Sequence, residues 1–282
     1  MWLPGLNTGF VLDGLSAFPA VAFSVRQLTA NPLYARPYCM LVRRSSDNTT
    51  LNIGYVNGLL DVITLLAFVG SGNGYVVTWY NQGSLGSSGD ATQSTAASQP
   101  QIVASGVVET QNGVPSVYFG GSQSLKSINP IGQTGSNPST FTAIASFSNF
   151  TNGPYLLSFG SSSSLHARDF YALVSGLSGM GIYGSDISGG TITANMLFIQ
   201  TGIFNTSAQN LFNNGVQVAI GAYSGMNTAA SPIFIATNTA GAQFLTGFES
   251  EAMIFYAVQS ANDKAVLDLN QAAFFSIAGV TQ

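Results

Sequence analysis

Three residues with side chains suited to acid–base chemistry stand close together at His166, Arg168 and Asp169. A histidine titrates near neutral pH, and a nearby carboxylate can stabilise its charged form. Hydrolysis would also require a nucleophile and donors for the charge of the transition state, which this triplet does not supply by itself. A hydrogen-bonded loop or strand edge is the favoured interpretation, and the three residues are kept as candidates for polar contacts with a ligand.

Two adjacent aromatic residues, Trp79 and Tyr80, could form a flat platform for a sugar ring, because an aromatic face combines a large apolar area with a polar edge. Trp79, however, follows Val76 and Val77 on a predicted strand. Core burial is the favoured interpretation for it, and a glycan platform is the alternative for both rings. Gln82, which belongs to the same short motif, is assigned a structural role.

Arg43, Arg44 and Asp47 form a dense charge cluster in a chain with few charges. A guanidinium group can fork onto a carboxylate or onto backbone carbonyls and so fix a turn. The cluster therefore predicts a structural motif, with an arginine that grips a sugar hydroxyl or a partner carboxylate as the alternative.

The residue types offer little for a metal site, because the chain has one His and one Cys and no clustered Asp/Asn loop. We expect neither a metal nor another cofactor. Three Asn-x-Ser/Thr matches, at Asn48, Asn149 and Asn205, are expected by chance in a chain this rich in those residues.

The elements that would position these side chains are mostly short strands, separated by Gly, Asn, Ser and Pro clusters. Asn213-Asn214-Gly215 predicts a tight hairpin, because Asn-Gly favours the type I′ turn. A short helix is expected at 61–69, capped by Asp61, and a longer one at 261–275, where Ser260-Ala261-Asn262-Asp263 resembles a capping box. Together they predict an all-β sandwich with two helices.

Five short motifs follow one another between residues 42 and 121. They are Val42-Arg43-Arg44-Ser45-Ser46-Asp47, Val77-Thr78-Trp79-Tyr80-Asn81-Gln82, Asp90-Ala91-Thr92-Gln93, Gln99-Pro100-Gln101-Ile102-Val103 and Val117-Tyr118-Phe119-Gly120-Gly121. In this order they resemble the concanavalin A-like or laminin-G-like jelly-roll domains, particularly the arabinofuranosidase-type modules of bacterial surface and phage virion proteins. The resemblance implies a jelly-roll β-sandwich. It implies no particular ligand, since a sandwich hosts many activities.

The resemblance also raises the alternative of a glycoside hydrolase or carbohydrate-binding module of arabinofuranosidase type. A hydrolase would need two carboxylates facing each other across the glycosidic bond. Asp186 is the only acid between residues 170 and 248, and the segment from Ile233 to Gly241 that is similar to the family's acid-bearing stretch contains none. Glu249 and Glu251 share a strand face by alternation. We expect no catalytic residue and favour a protein that is not an enzyme.

Composition narrows the class of partner. Only 6% of residues are charged, against roughly 25% in an ordinary soluble domain, and two Lys and five Arg form no basic stripe for phosphates. No apolar run reaches the ~20 residues that cross a bilayer. The expected partners are other virion or surface proteins, a further copy of the chain and glycans, with neither nucleic acid nor membrane.

The first 20 residues are interpreted as an apolar arm, with Trp2, Leu3 and Phe10 as candidates for partner contact, and residues 21–282 as one jelly-roll domain. The N-terminus lacks the features of a secretory signal, and Cys39 has no partner cysteine. The predicted function is a non-enzymatic structural, decoration or adhesion protein of a phage virion, made in the host cytoplasm. An extracellular place on a bacterial surface is the alternative.

Overall fold

The computed structural model describes residues 10–281, in which strands dominate and two α-helices lie at Val62–Val69 (α1) and Ala261–Phe275 (α2). The strands in chain order are β1 Val21–Ser24, β2 Tyr38–Arg44, β3 Thr50–Val56, β4 Leu59–Leu60, β5 Gly74–Trp79, β6 Ala91–Thr92, β7 Gln101–Ala104, β8 Val107–Val108, β9 Thr110–Gln111, β10 Val114–Pro115, β11 Val117–Gly120, β12 Leu125–Ser127, β13 Ser139–Phe147, β14 Tyr155–Gly160, β15 Ala167–Ala172, β16 Leu177–Gly181, β17 Ile187–Thr191, β18 Phe198–Phe204, β19 Ala208–Asn213, β20 Val216–Ala222, β21 Phe234–Ile235 and β22 Thr246–Phe255.

Antiparallel pairing arranges most of these strands in two layers. The front layer has the order β3, β2, β5, β6, β12, β21, β14, β15, β16 and β17. The back layer has the order β7, β11, β22, β13, β18, β19 and β20, and β1 pairs with β22 beside β11. A pairing between β5 and β7 joins the two layers along one side. The predicted all-β sandwich is confirmed.

Large aromatic side chains fill the space between the layers. Phe141 of the back layer has its ring centroid 5.3 Å from that of Phe159 and 5.5 Å from that of Phe170, both of the front layer. Near the other end, Trp79 of the front layer lies 5.9 Å from Phe23 of the back layer. All five are fully buried, and burial of each is worth roughly 1.5–3 kcal/mol.

Helix α2 covers the outer face of the back layer. It begins at the Ser260 cap, whose Oγ accepts a hydrogen bond from the Asp263 amide at 3.0 Å, as expected for an N-cap serine. Leu267 packs in a cluster with Met253 and Phe255 of β22. The predicted helix at 261–275 is confirmed.

The two other local predictions are also confirmed. Asp61 caps α1 by accepting a hydrogen bond from the Thr64 amide at 3.0 Å, and Leu65 and Val69 are the buried residues of that helix. The predicted hairpin joins β19 to β20, with Asn213 opposite Val216 and both turn residues between them at positive φ.

The part of the predicted arm that the structure describes packs on the chain's own sandwich. Leu12 is buried in the same cluster as Met253 and Phe255, and the ring of Phe18 stacks on Tyr34 at 4.3 Å. Phe10 is half-buried against Gly58. Trp2 and Leu3 lie outside the described residues.

Candidate functional site

Two glycines on β16 make room for polar side chains on the outer face of the front layer. A Cβ added at Gly179 would lie 2.4 Å from the ring of Tyr171, and one added at Gly181 would lie 1.8 Å from Oδ1 of Asp186. The Tyr171 ring and the Asp186 carboxylate therefore lie directly on bare backbone. Asp169, on β15, is the cross-strand partner of Gly181.

Tyrosines surround these two carboxylates. The rings of Tyr155 and Tyr171 are stacked, with centroids 5.1 Å apart and planes 23° apart, and both residues are half-buried. Tyr183, 47% exposed, lies in the loop that also carries Asp186. We call Tyr155, Asp169, Tyr171, Tyr183 and Asp186 the tyrosine–aspartate cluster.

Asp169 is the buried member of the cluster. Its Oδ1 accepts a hydrogen bond from the Ser158 hydroxyl at 2.6 Å. Burial, together with the negative charge of Asp186, raises the pKa of Asp169 to about 7 and outweighs the opposite effect of the Ser158 hydrogen bond. Asp186 is exposed, so the two carboxyl groups have different environments.

Burial also raises the pKa values of both paired tyrosines, and the nearby carboxylates add to the effect. For Tyr171 the causes include a side-chain hydrogen bond with Asp186. Because a raised pKa keeps a phenol protonated, both hydroxyls are hydrogen-bond donors at neutral pH. The cluster therefore presents ring surface and one exposed carboxylate, to which the Tyr171 hydroxyl is hydrogen-bonded.

The predicted triplet of His166, Arg168 and Asp169 does not come together as one site. Arg168 and Asp169 are consecutive on β15 and point to opposite faces. Arg168 is fully buried, and it donates hydrogen bonds to Thr228 Oγ1 at 2.9 Å and to the Asn137 carbonyl at 2.6 Å. The guanidinium thus ties two loops together and offers no surface to a glycan.

His166 lies in the loop before β15. Its Nδ1 is 2.6 Å from the Ser164 carbonyl oxygen, and the residue is half-exposed. Of the triplet, only Asp169 belongs to the tyrosine–aspartate cluster.

Trp79 and Tyr80 likewise lie in different environments. Trp79 is fully buried, and its Nε1 donates to the Ser24 carbonyl at 3.1 Å. The platform alternative therefore does not apply to Trp79, because core packing covers the ring. Tyr80 is half-buried on the outer face, and its hydroxyl donates to Asn52 Oδ1 at 2.6 Å.

Arg43, Arg44 and Asp47 make contacts of the structural kind. Arg44 donates two hydrogen bonds to the Asp47 carboxylate, at 2.9 and 2.6 Å, and a third to the Phe68 carbonyl at 3.0 Å. Arg43 donates to Gln99 Oε1 at 2.7 Å. These bonds fix the turn between β2 and β3.

Gln82 is fully buried and bridges two backbone groups. Its Oε1 accepts from the Leu28 amide at 2.8 Å, and its Nε2 donates to the Arg26 carbonyl at 2.9 Å. Its contacts are therefore structural.

Glu249 and Glu251 do not share a strand face. Glu251 lies opposite Ile144 and Glu249 lies opposite Ala145, so Ser250 is the extra residue of a β-bulge. The bulge reverses the alternation that the sequence suggests. The two carboxylates cannot face one ligand together.

Within residues 10–281, no group of three or more His, Cys, Asp or Glu side chains is placed to hold a metal ion. No helix in the same part of the chain is long and apolar enough to cross a membrane.

The sequence analysis missed Tyr155, Tyr171 and Tyr183. It considered Asp186 only as a possible member of a catalytic acid pair. These residues come together through the pairing of β14, β15 and β16, and the sequence alone does not specify which strands pair. One signal was present: Gly179 and Gly181 alternate with Ser178 and Met180 along the chain, and glycine within a strand indicates that other groups approach the backbone closely.

No protein-family model matches this chain, and no curated protein matches it in sequence. Among solved structures, an arabinofuranosidase complexed with arabinofuranosyl-α-1,2-xylobiose is similar, with a TM-score of 0.76 and 15% identity, over 94% of this chain and 64% of that one. A GH54 α-L-arabinofuranosidase soaked with a cyclic sulfate inhibitor gives a TM-score of 0.71 and 14% identity, over 94% of this chain and 65% of that one. The chain shares its sandwich fold with these arabinofuranosidases.

The sialidase of Trypanosoma rangeli in complex with the inhibitor DANA is a more distant neighbour, with a TM-score of 0.50 and 12% identity, over 69% of this chain and 31% of that one. The chain spans 64–65% of the length of the two arabinofuranosidases. At these identities the similarity extends to the fold alone. The resemblance to an arabinofuranosidase-type sandwich is thus confirmed at the level of the fold, and its assignment to a surface or virion protein stays a prediction.

Proposed function

We propose that this chain is a carbohydrate-binding β-sandwich module that holds a neutral sugar at the tyrosine–aspartate cluster without cleaving it. The observation that carries the proposal is the stacked pair of Tyr155 and Tyr171 beside the exposed carboxylate of Asp186. Ring surface packs against the apolar face of a sugar, and a carboxylate accepts hydrogen bonds from adjacent sugar hydroxyls. The complexes with sugars and inhibitors named for the fold neighbours agree with this choice of ligand class.

Binding without turnover is favoured by the position of the two carboxyl groups. Glycoside hydrolysis requires both acids to reach the glycosidic bond. Asp186 is exposed, but Asp169 is only 4% exposed and its Oδ1 is engaged by Ser158. The Asp186 carboxylate is therefore placed for contact with a sugar, whereas the Asp169 carboxyl group is buried beneath the outer face.

Hydrolysis is the second candidate, and one observation favours it. The pKa of Asp169 is raised to about 7, and a carboxyl group with a pKa near the working pH is suited to general acid catalysis. Under this alternative Asp169 would act as the acid and Asp186 as the nucleophile or base.

One experiment tests both candidates. Calorimetric titration with arabinofuranosyl-xylobiose should show binding that Tyr171→Ala and Asp186→Asn each weaken about tenfold or more, while Tyr118→Ala leaves it unchanged. Tyr118 is the matched control, because it is a half-buried tyrosine beside Phe248 on the other layer. The absence of binding to this and other neutral oligosaccharides would refute the proposal. Release of arabinose that Asp169→Asn abolishes would favour the hydrolase instead.

The setting that we propose for this module is the surface of a phage particle or of a bacterial cell, where several copies would assemble with other surface proteins. The support is composition: with 6% charged residues and a formal net charge of −4, the surface repels neighbouring protein weakly. Light scattering with and without residues 1–9 tests self-association. The deletion must stop there, because Leu12 belongs to the core. A monomer at all concentrations would contradict the assembly.

A further inference from the structure

A row of directly paired residues crosses the outer face of the front layer. It runs from Asn52 in β3 to Asp169 in β15, one residue from each strand, and includes Thr78, Thr92, Lys126 and Phe234. Because cross-strand partners point to the same face, the row is one continuous transverse line. It joins the tyrosine–aspartate cluster to the opposite end of the layer.

The far end of the row carries a second pair of tyrosines. The rings of Tyr38 and Tyr80 lie 6.3 Å apart, and Tyr38 is 43% exposed. Arg36 lies 5.4 Å from the centroid of the Tyr80 ring and is held there by an ion pair with Asp90 at 3.2 Å. The Tyr80 hydroxyl bonds to Asn52, the first residue of the row. The front layer therefore has an aromatic pair at each end.

The two ends lie on opposite sides of the row. Tyr80 follows Thr78 by two residues, and Tyr171 follows Asp169 by two residues, so both share the outer face. Five antiparallel pairings separate β5 from β15, and an odd number makes these two strands run in opposite directions. A line from Tyr80 to Tyr171 therefore crosses the sheet obliquely, over roughly 25–30 Å for strand spacings near 4.8 Å.

The middle of this line lies over β12 and β21. There Lys126 is exposed, and its Nζ is 5.8 Å from the centroid of the half-buried Phe234 ring. Of the hydroxyl-bearing residues in the row, Thr92 is half-buried, whereas Thr78 is 8% exposed and Ser158 is fully buried with its hydroxyl donated to Asp169. The line thus offers ring surface, one threonine hydroxyl and a single cation, which suits a long neutral ligand better than a charged one.

We infer that the ligand is a linear oligosaccharide of several units, which lies obliquely across the front layer from Tyr171 and Asp186 to Tyr80 and Tyr38. The inference rests on the proposed carbohydrate-binding function and extends it. The tyrosine–aspartate cluster holds one end of the chain, Lys126 and Phe234 contact its middle, and the second tyrosine pair holds the other end. Affinity then grows with chain length until both aromatic pairs are occupied.

The test is a length series of linear arabino- and xylo-oligosaccharides, from disaccharide to octasaccharide, titrated against the full chain. The octasaccharide should bind at least tenfold more tightly than the disaccharide. Tyr80→Ala should weaken the octasaccharide about tenfold, the effect of losing one aromatic contact, and leave the disaccharide unchanged. Tyr171→Ala should weaken both, and Tyr118→Ala neither. Asn52→Ala provides a second variant at the far end, since its side chain is exposed.

The outcomes separate the two proposals. Disaccharide and octasaccharide binding of equal strength, or equal losses for both in Tyr80→Ala, would overturn the extended ligand and leave the carbohydrate-binding function standing. No binding at any length would overturn both.

Discussion

Glu249 and Glu251 point to opposite faces of β22, although a single residue separates them. The bulge at Ser250 places Glu251 opposite Ile144 and Glu249 opposite Ala145, and consecutive residues of β13 face opposite ways. Glu251 consequently meets α2, where it accepts a hydrogen bond from Gln271 Nε2 at 3.0 Å. Glu249 is fully buried, beside Ala145 and Val117 of the core.

The first prediction concerns the pair formed by Glu251 and Arg26. Nε of Arg26 lies 3.0 Å from Oε2 of Glu251, and the side chains are 9% and 0% exposed. Arg26→Ala leaves the buried carboxylate without its cation, so we expect the free energy of unfolding to fall by about 3–5 kcal/mol in urea titrations. Arg44→Ala breaks the exposed pair with Asp47 and should cost much less. Equal losses in the two variants would contradict the assignment.

The second prediction concerns the pH dependence of stability. Burial raises the pKa of Glu249 well above its ordinary value, and neither carboxylate oxygen has a hydrogen-bond partner. The folded chain therefore keeps this proton where the unfolded chain has lost it. The stability that the group contributes is complete below pH ~4.3, where the unfolded glutamate is also protonated, and declines as pH rises toward the folded pKa.

Glu249→Gln removes that titration and keeps the shape of the side chain. We expect the variant to gain stability relative to the wild type as pH rises from 5 to 8, by up to about 1.4 kcal/mol per pH unit. Urea unfolding at several pH values measures the difference, in which contributions from Asp169 cancel. Parallel curves for the two proteins would show that Glu249 is ionised in the fold.

Local signals in the sequence predicted the local structure well. Asp61 and Ser260 cap helices, and Asn214-Gly215 closes a hairpin, because each signal acts through a hydrogen bond or a turn formed by near neighbours. Burial of Trp79 followed in the same way from its apolar flanks.

The candidate site depends on strand pairings that local signals do not specify, and the spacing of Gly179 and Gly181 does not reveal which side chains lie on them. Tyr155 and Tyr171 meet because β14 pairs with β15, with a register shift after Tyr155, and Asp186 meets them through a loop. The bulge at Ser250 is equally non-local, since it is defined by the partner strand. For this reason alternation misplaced Glu249 relative to Glu251, and the sequence triplet of His166, Arg168 and Asp169 did not form one site.

The third prediction contrasts two neighbours in sequence. Trp79→Ala removes a fully buried ring that packs on Phe23 and bonds to Ser24, and should cost about 3–5 kcal/mol of unfolding free energy. Tyr80→Ala removes a half-buried ring from the outer face and should cost far less. Thermal or urea unfolding of both variants checks the contrast. A larger loss for Tyr80→Ala would mean that the outer face is covered and unavailable to a sugar.

The last prediction tests the geometry of the cluster through a single methyl group. In Gly181→Ala the new Cβ would meet the Asp186 carboxylate, whose Oδ1 lies 1.8 Å and Cγ 2.4 Å from its position. Gly181 is not among the residues with positive φ, so the backbone conformation suits alanine. Because Cβ of Asp186 would also lie only 2.9 Å away, both the Asp186 side chain and its loop must move. We expect a small loss of stability, with sugar binding weakened as much as in Asp186→Asn. Gly14→Ala is the matched control, because its Cβ would meet no atom within 4 Å. Unchanged binding in Gly181→Ala would show that the carboxylate does not contact the ligand from this position.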